Sequence, residues 1–219
     1  MLSFLKNKKI NINSITFPTF DWEVAKEDEQ FKQWINKEQT VALSINFFDS
    51  KPDLPYLDDI DVVREFYRKE LSAHNGGLIE VNTKEIESYR TIKTIFKISQ
   101  EPVGISYLAS LTFPFKNYSF VIKIQSIEHG MSGKRETETT NYLLKNKELT
   151  PSGDTYLEWA RDPYKQDFNE GLLMNLSEQE KYDSVYANHA LSKARNMINT
   201  IEKNLVFDDE LKNLKKLKK

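Results

Sequence analysis

Cysteine is absent from the 219 residues, glycine occurs seven times, and no hydrophobic run approaches the length needed to cross a bilayer. Without cysteine there are no disulfides, thiol nucleophiles, thiolate metal sites or iron–sulfur clusters. The glycines are scattered, and none has the spacing of the phosphate-cradling loops that nucleotide-binding folds place between a strand and a helix, so no cofactor of that kind is expected. A spanning helix needs about 18 successive apolar residues, and its lack argues against a membrane partner. Ahead of Ile10 the only large apolar residues are Leu2, Phe4 and Leu5, too few for a signal-peptide core, which makes the cytoplasm the expected compartment. Strong charge of one sign is missing as well: a net charge of −2 with 29 % charged residues gives no global bias toward nucleic acid or anionic lipid.

What the chain does have is alternation. In 40–48, Val41, Leu43, Ile45 and Phe47 fall on one face and Ala42, Ser44 and Asn46 on the other, and 31–35 before it reads as the other arm of a hairpin. Four more strand-like runs follow at 78–82, 90–98, 104–113 and 118–127. The turns at 100–104 and 114–117 are too short for a parallel crossover, so these neighbours must be antiparallel. Between the two groups, prolines at 52 and 55 break regular structure, Asp58 or Asp59 can cap a helix, and Val63, Phe66, Tyr67, Leu71 and His74 recur at helical spacing. That spacing turns Arg64, Glu65, Arg68, Lys69 and Glu70 mostly toward water, and Asn75-Gly76-Gly77 ends the helix. The polar stretch 136–147 has poor periodicity, and 150–174 is long and irregular. Ser177-Glu178-Gln179-Glu180 matches a capping box, and Leu191, Ala194, Ile198, Ile201 and Leu205 mark a second substantial helix. The expected fold class is α+β, an antiparallel meander sheet with helices packed on it and a C-terminal helical segment. One domain over 1–219 is expected, with the sheet and first helix in 17–142 and a wrap with helices in 143–219.

Candidate chemistry is sparse. Gly130-Met131-Ser132-Gly133 approaches a serine nucleophile elbow, but its second glycine comes one residue early and no apolar helix follows. His74, His129 and His189 form no metal-type pair, and Glu128 and His129, as strand neighbours, point to opposite faces. No catalytic, cofactor or metal residue is expected, and the chain reads as a non-enzyme. Five aspartates, Asp49, Asp53, Asp58, Asp59 and Asp61, surround Lys51 beside Phe48, Leu54, Tyr56 and Leu57; the ligand spacing and central glycine of a calcium loop are missing. Asp53, Tyr56, Asp58 and Asp59 therefore form the first candidate surface for a protein partner, and Trp159, Asp162 and Tyr164 in the long irregular stretch form the second. The lysines interleaved with Leu211, Leu214 and Leu217 lack aromatic stacking partners and read as a solvated helix end, not a nucleic-acid site.

The order hairpin, acidic proline loop, helix, Gly-Gly and four meandering strands, over 17–142, resembles the PsbP-like or DcrB-like α/β/α sandwich. Farther on, Trp159-Ala160-Arg161-Asp162-Pro163-Tyr164, Met174-Asn175-Leu176-Ser177-Glu178, Glu180-Lys181-Tyr182-Asp183 and 188–195 are similar to uncharacterised bacterial proteins associated with Rhs and type VI secretion toxin loci. That resemblance implies an immunity protein that neutralises a secreted toxin by direct binding, with an adaptor or chaperone for a secretion effector as the alternative.

Overall fold

The computed structural model describes residues 10–214. The opening Leu2, Phe4 and Leu5 and the terminal Leu217 with its flanking lysines lie outside them. In chain order the elements are β1 (Ile15–Thr16), β2 (Glu23–Glu27), β3 (Phe31–Ile35), β4 (Val41–Phe48), α1 (Ile60–Ser72), β5 (Gly76–Ile86), β6 (Tyr89–Ser99), β7 (Ile105–Pro114), β8 (Ser119–Ile127) and α2 (Lys134–Lys145). The short strands β9 (Pro151–Ser152), β10 (Thr155–Tyr156), β11 (Ala160–Arg161) and β12 (Met174–Asn175) follow, then α3 (Ala190–Asn204), β13 (Val206–Phe207) and α4 (Asp209–Lys212).

Seven strands form one antiparallel sheet in the order β2-β3-β4-β8-β7-β6-β5. Because successive side chains on a strand point to opposite faces, the alternation sorts the core into two clusters. Leu43, Ile45, Ala109, Leu111, Phe120 and Ile122 pack against Leu191, Ala194, Ile198 and Ile201 of α3. On β6, Ile95 belongs to that cluster, whereas Ile92, three residues away and so on the other face, joins Leu78, Val81 and Val63 of α1. Helices thus cover opposite faces, α1 over β5 and α3 over β7 and β8, in the α/β/α layering. Ile15 pairs with Phe207 across β1 and β13, which ties the first described strand to the segment after α3.

Several elements depart from the expectations in instructive ways. β2 was not anticipated: all five residues are exposed, so it carries no alternation to read. The hairpin of β5 and β6 runs on to Ile86 and Tyr89, across a turn whose Glu87 and Ser88 both have positive φ; without glycine or asparagine there, the usual signal of such a turn is missing. Gly76 and Gly77 open β5 and do not belong to a loop, and Asn75 takes the left-handed position. Phe66, on the apolar stripe of α1, and Phe96, within the run 90–98, are only partly buried, and it is Tyr67 that packs inward from α1, hydrogen-bonded to Thr112. Burial pushes the Tyr67 phenol up to about 12. Arg68, expected in water, is buried.

Phe120 is fully buried, so Phe120→Ala should cost about 3 to 5 kcal/mol in urea denaturation, and Phe96→Ala should cost less than half as much. Equal losses would contradict the placement of these two rings.

Candidate functional site

The first candidate surface lies between β4 and α1. Pro52 and Leu57 are buried and pin the loop, while Tyr56 between them stays 48 % exposed. Asp59 caps α1: its Oδ1 accepts from the backbone N–H of Asp61 at 2.9 Å and of Val62 at 3.3 Å. Asp58 is paired with Arg90, whose Nη1 also donates to the Leu57 carbonyl at 3.0 Å. A hydrogen bond to Asp58 and that carboxylate's charge push the Tyr56 phenol up. Asp53 is exposed and makes no ion pair among the described residues, and Phe48 is exposed nearby in sequence. Of the four residues proposed here, two therefore have structural duties and two, Asp53 and Tyr56, are presented to solvent.

The second candidate surface is turned inward by the fold. Arg68 of α1 grips the Asp162 carboxylate in a two-pronged pair, Nε to Oδ2 at 2.9 Å and Nη2 to Oδ1 at 3.0 Å, with both side chains buried. Asp162 Oδ1 also accepts from the backbone N–H groups of Tyr164 and Lys165, each at 2.9 Å. The Tyr164 ring lies 3.8 Å from the Arg64 guanidinium, and its hydroxyl accepts from the Val81 N–H at 2.9 Å; burial raises its pKa. Trp159 is half-buried beside Tyr156. Backbone crowding explains two glycines here: a Cβ on Gly77 would come within 1.7 Å of the Leu172 carbonyl, and one on Gly171, which has φ +71, within 2.5 Å of the Gly76 carbonyl.

Deeper inside, charges meet under α3. Lys93 and Lys97 point from β6 to the α3 side, Lys93 toward Asn199 and Glu202 and Lys97 toward Glu178. The Lys97 ammonium donates to both Glu178 oxygens, at 2.9 and 2.7 Å, and the Tyr107 hydroxyl donates to Oε1 at 3.1 Å. Glu178 Oε2 also accepts from the Asn175 N–H at 2.8 Å, closing a capping box of Asn175 with Glu178 in place of the expected Ser177 with Glu180. Arg135 of α2, 1 % exposed, donates to the Ser177 carbonyl, Ser192 and Asp183, and Arg195 of α3 holds the other Asp183 oxygen at 2.6 Å.

One constellation escaped the sequence reading. Glu128, at the end of β8, accepts from Ser132 Oγ at 2.7 Å and from the Ile105 N–H at 3.0 Å through Oε2, and its Oε1 lies 2.9 Å from His189 Nε2. His189 caps α3, with Nδ1 accepting from the Leu191 N–H at 3.2 Å, so Nε2 is the ring donor. Burial pushes the Glu128 carboxyl up, but the hydrogen bonds from His189, Ser132 and the Ile105 N–H outweigh it and hold the group below its ordinary value. The carboxylate sits between serine and histidine, so the imidazole is not placed to take the serine proton, the arrangement a serine nucleophile with a histidine base requires. His129 is exposed and outside this cluster. Among the described residues, no three His, Asp or Glu side chains gather as metal ligands, and no helix is long and apolar enough to cross a membrane. The signal that could have led to His189 is its position directly before an amphipathic helix.

No protein-family model matches the sequence, and no curated protein matches it. Among solved structures, the chain is similar to a mutant of the protein Mog1, at 10 % identity over 91 % of this chain and 94 % of that one, with a TM-score of 0.43. The Ran-binding protein Mog1p of Saccharomyces cerevisiae is similar at 8 % identity over 91 % and 89 %, with a TM-score of 0.39. A Bacteroides thetaiotaomicron structure is matched at 14 % identity over 53 % of this chain and 39 % of its own length, with a TM-score of 0.35.

Replacing Arg68 by alanine leaves the Asp162 carboxylate buried without its partner, and should cost about 3 to 5 kcal/mol in a denaturant titration. A loss near that of an exposed ion pair would show that the wrap does not depend on this contact. Glu136 supplies a test in pH. Burial and the neighbouring Glu178 charge raise its pKa above 4.5, against the pull of Lys97 and the Asn175 amide. The folded protein therefore holds this proton more tightly than the unfolded chain, and the group costs stability once pH rises above 4.5. Glu136→Gln, which keeps an acceptor for Asn175, should raise the melting temperature at pH 7, with the gain disappearing as pH falls below 4.5. A gain that persists unchanged in acid would contradict this sign.

Proposed function

We propose that the chain is a non-catalytic protein-binding module that docks a basic protein partner through the acidic proline loop. The observation that carries this reading is the exposed Tyr56, standing among the exposed carboxylates of Asp53, Asp58 and Asp59 on a loop anchored by buried Leu57. An aromatic anchor rimmed by charge suits an interface, and complementary charge speeds and orients docking. The ionic residues of the interior are engaged with one another, and the arrangement of Glu128, Ser132 and His189 suits a helix-capping contact better than a reaction.

Within this reading, the similarity to proteins at Rhs and type VI secretion toxin loci favours an immunity protein, and the resemblance to PsbP-like and DcrB-like domains supplies the scaffold. The partner is then a toxin that is basic where it is bound, and neutralisation follows from covering its active site. The competing adaptor reading needs room for a guest segment on the sheet, and the apolar face that would attract one is occupied by α3. Asp58 and Asp59 serve the fold, so the cleanest probe of the interface is Asp53→Asn with Tyr56→Ala, which keeps the helix cap and both members of the Asp58–Arg90 pair and removes only the solvent-exposed Tyr56 hydrogen bond to Asp58. A native-host pull-down with this chain as bait identifies the partner. Stopped-flow association with that partner should then slow for the double variant, by about tenfold at low ionic strength, with a flatter salt dependence and an unchanged melting temperature. Equal rates and equal salt slopes would remove the loop from the interface.

A further inference from the structure

Away from the acidic loop, a cleft of about 640 Å³ opens where β4 and β8 meet the first turns of α2 and α3. Its size is that of a ligand site. Thr40, Ser126 and Ile127 contribute the sheet side, and the turn at 185–190 faces α2 across it. The rim has an apolar component, since Met131 and Val185 are 79 % and 69 % exposed.

Glu128 is engaged by His189 and Ser132, Arg135 by Asp183, and Lys134 lies 3.7 Å from Glu138. Lys193 and His129 remain, with no ion pair among the described residues. Two helix N-termini reach the same space. α3 is capped by His189, whereas the N-cap of α2 is Gly133, which provides no side-chain cap for the helix's first N–H groups. Such a terminus attracts negative charge.

A separate feature points to a ligand. Ser126 is 0 % exposed, lines the cleft from β8, and its Oγ has no hydrogen-bond partner among the described residues. Buried hydroxyls are nearly always partnered, and each exception calls for an explanation. A hydroxyl left unmatched at the floor of a cleft is explained if an acceptor from outside completes it.

We propose that this cleft takes an acidic, aliphatic peptide segment of a protein partner, its carboxylates held by Lys193, Ser126 and the first turn of α2, and its aliphatic side chains laid on Met131 and Val185. The site is separate from the acidic loop and has the opposite charge preference, so the two surfaces stand or fall independently.

The test uses the full chain and two capped hexapeptides, alternating leucine with glutamate and leucine with lysine, in calorimetric titrations. The glutamate peptide is expected to bind one to one, and the lysine peptide not at all. Lys193→Glu should raise Kd at least about tenfold, as expected for reversing a charge that meets a carboxylate. Its fold should survive, because an acidic residue in the first turn of α3 suits the helix dipole; a melting curve checks this. Ser126→Ala should weaken the peptide while leaving or raising the melting temperature of the free protein, a combination that a purely structural serine does not produce. The variant Asp53→Asn with Tyr56→Ala should bind the peptide as wild type does. Equal binding of both peptides, an unchanged Kd in a folded Lys193→Glu variant, or binding of inorganic phosphate but not of the glutamate peptide would each overturn the proposal.

Discussion

A lysine ammonium from the middle of the sheet and a glutamate carboxylate from the C-terminal chain meet in the interior, and the rest of the architecture is arranged around them. Desolvating Lys97 and Glu178 costs several kcal/mol per ion and is offset only when geometry is good and the remaining hydrogen-bond capacity is met. Both conditions hold: Lys97 reaches both carboxylate oxygens, and Tyr107 and the Asn175 N–H take up the remaining acceptor positions. With Glu178 fixed, the chain on either side is fixed too. Upstream, β12 pairs with β11, which leads into Asp162 and its Arg68 clamp. Downstream, Gln179 and Asp183 receive Arg135, and Asp183 passes the constraint to Arg195 on α3. The wrap before α3 is fastened to the sheet through these partnered charges, while α3 and the chain after it, through Leu205, Phe207 and Leu211, join the apolar core.

This division explains what could be read from the letters. Alternation in Val41, Leu43, Ile45 and Phe47, and again in Tyr107, Ala109, Leu111 and Phe113, reports a one-sided apolar core, and the antiparallel sheet followed from it. Buried charge carries no such periodic mark. Lys97 and Arg68 read as solvated because their partners, Glu178 and Asp162, lie 81 and 94 residues away in sequence. Helix α2 was obscure for the same reason. Its buried positions, Arg135, Thr139 and Leu143, form an i, i+4, i+8 stripe in which only one residue is apolar. The acidic loop was legible because its signal is local, a run of aspartates and prolines next to an exposed tyrosine. The cleft near Ser126 was not, since β8, α2 and α3 supply it from separate parts of the chain.

Charge is thus used in two ways. Inside, cations and carboxylates are matched and fasten the wrap to the sheet. Outside, Asp53 near Tyr56 and Lys193 at the cleft make no ion pair among the described residues, and under the two proposals an incoming surface completes them. A rigid interior benefits such a use, because an interface whose anchors are already ordered loses less entropy when a partner binds.

The central claim is that the Lys97–Glu178 contact makes the wrap and the sheet one cooperative unit. Native-state hydrogen exchange in increasing denaturant measures this directly, through the opening free energies of the amides of Asn175 and Ser177 in the wrap and of Ala109 and Ile122 in the sheet. The account predicts one shared opening energy in the wild type, and in Lys97→Met a wrap that opens well before the sheet. Wrap amides that already exchange at lower energy in the wild type, or a Lys97→Met variant in which both sets fall together, would contradict it.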